Sequence, residues 1–209
     1  RIFQPYLTRT DFWWMGFTGR AVNNWNPWVN TNVLMTALYS GLVADSVGLI
    51  IDKTVKSTDF FVNQYPDDGG CDEGPSYWSE AGGKLMRFIH VLNKLTTTSI
   101  DWKQEKLIYN MGNYISKVHI GENNFVNFAD AFSKSIPDPE SVYSYGALYD
   151  DAALKSFGAY LFGLQKQKLD NGNIIDFLET TSIYDSLTTV PPIAPLPAVS
   201  WWLRVRPPC

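Results

Sequence analysis

Tyr65-Pro-Asp-Asp-Gly-Gly-Cys-Asp-Glu-Gly-Pro-Ser-Tyr-Trp78 is the stretch from which the rest of the chain is best read. It packs four carboxylates, three glycines and two prolines into fourteen residues. Gly69 and Gly70 open backbone conformations closed to other residues. Gly74-Pro75 reads as an N-cap followed by the first helical position, where proline gives up only an N–H that would be unpaired anyway. Tyr77 is then expected in the first turn of a helix, near free N–H groups and the positive end of the helix dipole. A phenol so placed is a candidate proton-transfer group.

The helix expected after Pro75 has the clearest pattern in the chain. Trp78, Ala81, Leu85, Phe88, Ile89, Leu92 and Leu95 fall on one stripe at about 100° per residue. Tyr77 lies at the edge of that stripe, with Glu80, Lys84 and Arg87 on the polar flank beside it. Upstream, Val33, Leu34, Ala37, Leu38 and Leu42 recur at helical spacing from Asn30. A second run from about Asp45 to Asn63 turns Val47, Ile50, Ile51, Val55 and Phe61 inward. These two predict a helical hairpin leading into the glycine-rich loop. Phe12-Trp-Trp-Met15 and Phe17 suggest a short buried helix. Between them Asn23-Asn-Trp-Asn-Pro-Trp28 reads as a polar-aromatic loop, because Pro27 and the asparagines oppose regular helix.

Downstream, Asp101-x-x-Gln104 resembles a capping box for a helix carrying Leu107, Ile108, Met111 and Ile115. Residues 121–130 read as a loop or brief strand pair, and Ile136-Pro-Asp-Pro139 as a turn. Helices resume near Asp150–Gln165 and Asn173–Leu187, separated by Asn171-Gly172. Val190-Pro-Pro-Ile-Ala-Pro-Leu-Pro197 is an extended linker. The expected fold class is therefore mostly α, built of antiparallel helical hairpins over residues 1–189, with a Pro-rich linker over 190–209.

Of the 209 residues, 45% are hydrophobic, 18% charged and 15% aromatic, a composition of ordinary globular chains. The net charge of −4 argues against a general nucleic-acid binder, though a local cluster of Arg and Lys can still oppose that sign. No run of about 18 apolar residues occurs, so no membrane span is expected. Cys71 and Cys209 make no disulfide framework, and two histidines with two scattered cysteines make no zinc pattern. The acidic loop lacks the order of an EF-hand, so neither a metal nor a cofactor is expected. The chain opens on Arg1 and closes on Trp201-Trp-Leu-Arg-Val-Arg-Pro-Pro-Cys209, and reads as a piece of a longer protein.

Asn23-Asn-Trp-Asn-Pro-Trp28, followed some fifty residues later by Asp67-Asp-Gly-Gly-Cys-Asp-Glu-Gly-Pro-Ser-Tyr-Trp78, resembles the heparinase II/III-like polysaccharide lyases. That group is similar to the alginate and other uronan lyases. The resemblance spans roughly residues 10–205 and implies an incomplete (α/α) toroid. It also implies a periplasmic or secreted setting and, in the full-length protein, a C-terminal β-sandwich domain beginning after the linker.

The implied reaction is β-elimination on an anionic, uronic-acid-containing glycan, heparan sulfate-like or alginate-like. Tyr77 is the implied base and acid, and Asn23 or Asn24 the implied ligand of the uronate carboxylate. Trp25, Asn26, Trp28, Glu73, Trp78, Lys84 and Arg87 are the expected substrate contacts. Family members often use His beside or in place of the asparagine, and this chain has none there. The residue types suit the chemistry. An amide on the carboxylate disperses the charge that builds when the adjacent proton leaves. A tyrosine with pKa about 10 is roughly one part in a thousand ionised at pH 7, a penalty of about 4 kcal/mol. A helix terminus offers only about 0.3–1 kcal/mol, so a nearby cation is also required, from Lys84, Arg87 or Arg20.

Two other readings share these residues. Two of Asp67, Asp68, Asp72 and Glu73 could act as acid and base of an inverting glycoside hydrolase on a helical toroid. Alternatively, the chain is an inactive glycan-binding fragment of a longer lyase. Residue pattern alone would make Tyr77 an ordinary boundary tyrosine and Asn23, Asn24 and Asn26 loop caps. His90 is expected to project away from Tyr77, and His119 to cap a helix end.

Overall fold

The computed structural model describes residues 2–97, 100–165 and 174–195. Within them the chain is mostly α-helical. The helices are α1 (Phe3–Thr8), α2 (Trp25–Tyr39), α3 (Ala44–Val62), α4 (Gly82–Leu95), α5 (Lys106–Lys117), α6 (Pro139–Leu148), α7 (Ala152–Leu164) and α8 (Ile174–Thr189). A small antiparallel hairpin, β1 (His119–Gly121) with β2 (Asn124–Phe125), sits between α5 and α6. No helix among the described residues is long and apolar enough to cross a membrane. Asn171-Gly172 and most of the Pro-rich segment, from residue 196 on, lie outside the described residues.

The strongly patterned helix proves central. One side of α4 (Leu85, Met86, Ile89) joins a core with Met111, Ile115, Val142, Tyr145 and Phe157. Its other side (Phe88, Val91, Leu92) joins a second core with Tyr6, Met15, Leu34 and Ile50. The α2–α3 hairpin packs on the second side and the α6–α7 hairpin on the first. Burying a large apolar side chain stabilises by about 1.5–3 kcal/mol, so this double-sided helix ties the halves together.

Several expectations change. α2 begins at Trp25, not near Asn30, and so absorbs most of the asparagine loop. Pro27 falls in its first turn, where a missing N–H breaks no helical bond. Pro75 opens a six-residue 3-10 helix, Pro75–Glu80, and α4 starts separately at Gly82. The break falls at Ala81, with φ −105° and ψ −90°, and the Trp78 indole nitrogen lies 2.8 Å from where a Cβ on residue 82 would stand, so glycine is needed there. Tyr77 is therefore not in the first turn of a long helix, and the dipole argument for it lapses. The Asp101 box caps only a short turn, Trp102–Gln104, through Lys103 N–H at 3.1 Å. α6 was not expected at all; Asp138 is its N-cap and Pro139 its first residue.

Candidate functional site

Tyr77 stands on a segment fastened through its neighbours. Ser76 Oγ accepts the Phe132 N–H at 2.7 Å, and Ser79 Oγ accepts the Asp138 N–H at 2.9 Å. Trp78 is fully buried and donates its indole N–H to Met111 O at 2.7 Å. Tyr145, packed against Trp78, donates its hydroxyl to Gly82 O at 2.8 Å. Gly74, just ahead, has φ +90°, and a Cβ there would meet Phe128 O at 2.6 Å, so only glycine fits. The neighbours are thus held inward and Tyr77 is left 38% exposed. Trp78 offers no surface to a ligand, and its expected place among the substrate contacts is corrected to that of an anchor.

The asparagine segment meets this loop. α2 packs against the Tyr77 segment, and the Asn23 amide lies beside the Glu73 carboxyl. The three asparagines differ sharply. Asn26 is fully buried; its amide donates to Trp14 O at 2.8 Å and Ser57 O at 2.9 Å, and its oxygen accepts from Asn30 at 3.2 Å. It is a structural cross-tie between α2, α3 and the Trp13–Met15 turn, which corrects its expected role in substrate binding. Asn23 spends its side-chain oxygen on the Trp25 N–H at 3.2 Å. Asn24 occupies the N-cap position of α2 yet makes no cap bond. Among the described residues its side chain has no hydrogen-bond partner, although only 7% of the residue is exposed. An amide that reaches solvent and is spent on no protein partner is available to a ligand.

Charge around this face is mixed. Burial pushes the Glu73 carboxyl above the usual carboxylate range; Asp72 and Asp130 add to that rise, and the Asn23 amide opposes it. Lys84 Nζ lies 3.6 Å from a Glu80 carboxylate oxygen and 5.6 Å from the Trp28 ring centroid. Thr31 Oγ1 donates to Pro27 O within α2 at 2.6 Å and shares that proton with Lys84 O at 3.1 Å, where α4 meets α2. Arg87 instead lines a cavity of about 40 Å³ with His90, Asp138, Glu140 and Ser141. Burial alone would raise Asp138. The Glu140 and Ser141 side chains bonded to it, with the Arg87 and Lys84 charges, outweigh burial and hold it below its ordinary value.

The remaining acids of the loop serve its own shape. Asp68 accepts the Gly70 N–H at 2.9 Å and Asp72 the Glu73 N–H at 3.0 Å. His119 is not a helix cap; it is buried in β1 among Phe125, Phe157 and Tyr160, with Nε2 2.9 Å from Glu122 O. Trp13, which the sequence marked only as core, is exposed and stacks edge-on against Trp25, which in turn stacks on Trp28. No protein-family model matches the chain, and no curated protein gives a match.

Proposed function

We infer that this chain is the helical part of a uronan lyase of the heparinase II/III-like kind, with an incomplete (α/α) toroid of which the α2–α3 and α6–α7 hairpins are parts. The observation that carries the reading is the uncommitted amide of Asn24 at the start of the helix packed on the exposed Tyr77 segment. The reaction is β-elimination on an anionic glycan. The Tyr77 oxygen, as phenolate, takes the proton from C5 of the uronate. The C5 electron pair forms the C4–C5 double bond, the C4–O bond breaks, and the departing glycosidic oxygen takes the proton back from Tyr77. Asn24 hydrogen-bonds the uronate carboxylate while charge builds there, which is oxyanion-type stabilisation. Of the expected cations, Lys84 lies on the Trp28 side of α4, whereas Arg87 is turned toward Asp138.

A specific observation favours one competitor. A carboxyl raised by burial is the usual state of a general acid, which is what Glu73 would be in an inverting hydrolase. The products separate the two. A lyase leaves an unsaturated uronate that absorbs in the ultraviolet, and Glu73→Gln keeps that product forming. A hydrolase releases reducing ends without the band, and Glu73→Gln stops it. A glycan-binding fragment gives binding with neither product.

A further inference from the structure

We propose that Trp13, Trp25 and Trp28 form one aromatic subsite for an uncharged sugar ring beside the uronate, so that the preferred glycan is sparsely charged and unsulfated. This rests on the lyase reading above and narrows its substrate. The three indoles are 49%, 48% and 36% exposed and linked by centroid distances of 6.2 Å and 5.6 Å. Three neighbouring tryptophans left in water are an expensive surface, of the kind that marks a ligand groove. Their π faces are electron-rich and meet the C–H face of a pyranose favourably.

Charge selects the occupant. At the Trp25 end, Asn23 accepts the Trp25 N–H and lies beside Glu73, which feels Asp72 and Asp130. At the Trp28 end, the lysine over the ring is already paired with Glu80. Glu80 thus stands by the Trp28 end with its paired lysine, and Glu73 lies past Asn23 from the Trp25 end. A sulfated sugar laid there brings like charges together, whereas a neutral N-acetylated ring does not. The Asn24 amide N–H can donate to one uronate carboxylate.

The test compares elimination rates at one ionic strength on heparin, on alginate, and on an unsulfated polymer alternating glucuronate with N-acetylglucosamine. The unsulfated alternating polymer is expected to be cut at least ~10-fold faster than heparin, an advantage worth about 1.4 kcal/mol. Trp13→Ala is expected to raise KM on it about 5-fold or more, since lost stacking removes binding. Equal or faster cutting of heparin or alginate overturns the inference and leaves the lyase reading standing. If no polymer yields the ultraviolet product, the lyase reading fails, and the subsite is judged by tryptophan fluorescence titration with an unsulfated oligosaccharide. Binding that Trp13→Ala and Trp25→Ala leave unaltered, or no binding, overturns it.

Discussion

Replacing Asn26 by alanine separates a structural asparagine from the one proposed, two residues away, to bind the uronate. Asn26 donates at 2.8 Å to Trp14 O and at 2.9 Å to Ser57 O, and accepts from Asn30 at 3.2 Å. All three partners lose a bond, those to Ser57 and Asn30 in the buried interior and that to Trp14 O at its part-buried edge. Asn30 and Ser57 stay linked through Ser57 Oγ at 2.9 Å, which softens the loss. Leaving a buried polar group unpaired costs about 1–3 kcal/mol, so the partially compensated set predicts about 3 kcal/mol of destabilisation. Asn24→Ala loses no side-chain hydrogen bond, and an N-cap site without its cap bond predicts less than about 1 kcal/mol. Urea unfolding reads both. With a slope of about 2 kcal/mol/M, Asn26→Ala moves the midpoint down by about 1.5 M at constant slope, and Asn24→Ala moves it by under about 0.5 M. Equal shifts for the two variants, or a neutral Asn26→Ala, refute the assignment of roles.

Trp78→Phe keeps a ring but removes the donor to Met111 O, and a loss of about 1–3 kcal/mol is expected in the same urea assay. Asp151→Ala removes the acceptor of the Ala153 and Leu154 N–H groups that opens α7, a cost of about 1–2 kcal/mol. The same change should lower the Tyr109 pKa, which burial, the Asp151 hydrogen bond and its charge push up to about 12, as ultraviolet titration of the phenol would show. Asp138 is depressed in the fold, so its contribution to stability is complete above the unfolded carboxyl pKa and is lost as pH falls through the folded one. Asp138→Asn should therefore lower the melting temperature at neutral pH and shrink the difference from the parent on acidification; a constant difference would contradict this.

Helices with one apolar stripe were legible from periodicity: α3, α4 and α7 begin and end within two residues or so of expectation, apart from the start of α4. α6 was not, because its buried face is Pro139, Ser141, Val142, Tyr145 and Gly146, which is no hydrophobic repeat. α2 hid its first turns for the same reason: its buried face carries Asn26, Asn30 and Thr31, polar residues whose partners come from distant segments. The break at Ala81 interrupts an apolar stripe that runs on through it, so a single-helix pattern cannot show it. The candidate site was legible in its residue types and not in its allocation. Tyr77 and the asparagines stand out in the sequence. That Asn26 is consumed, Asn24 unspent and Trp78 an anchor follows only from the carbonyls and amides around them. Trp13 carried one signal, its place beside Trp14, but two adjacent tryptophans cannot both face one core.

The central claim is that the Tyr77 phenol moves the proton, and the rate of unsaturated-product formation by Tyr77→Phe tests it most directly. Tyr77 is partly exposed and its neighbours carry the packing, so the variant should unfold at the parent's urea midpoint. The account predicts a fall in elimination rate of about 100- to 10,000-fold, the range for a lost acid–base group. A folded Tyr77→Phe that still forms the unsaturated product at near the parent rate would contradict it.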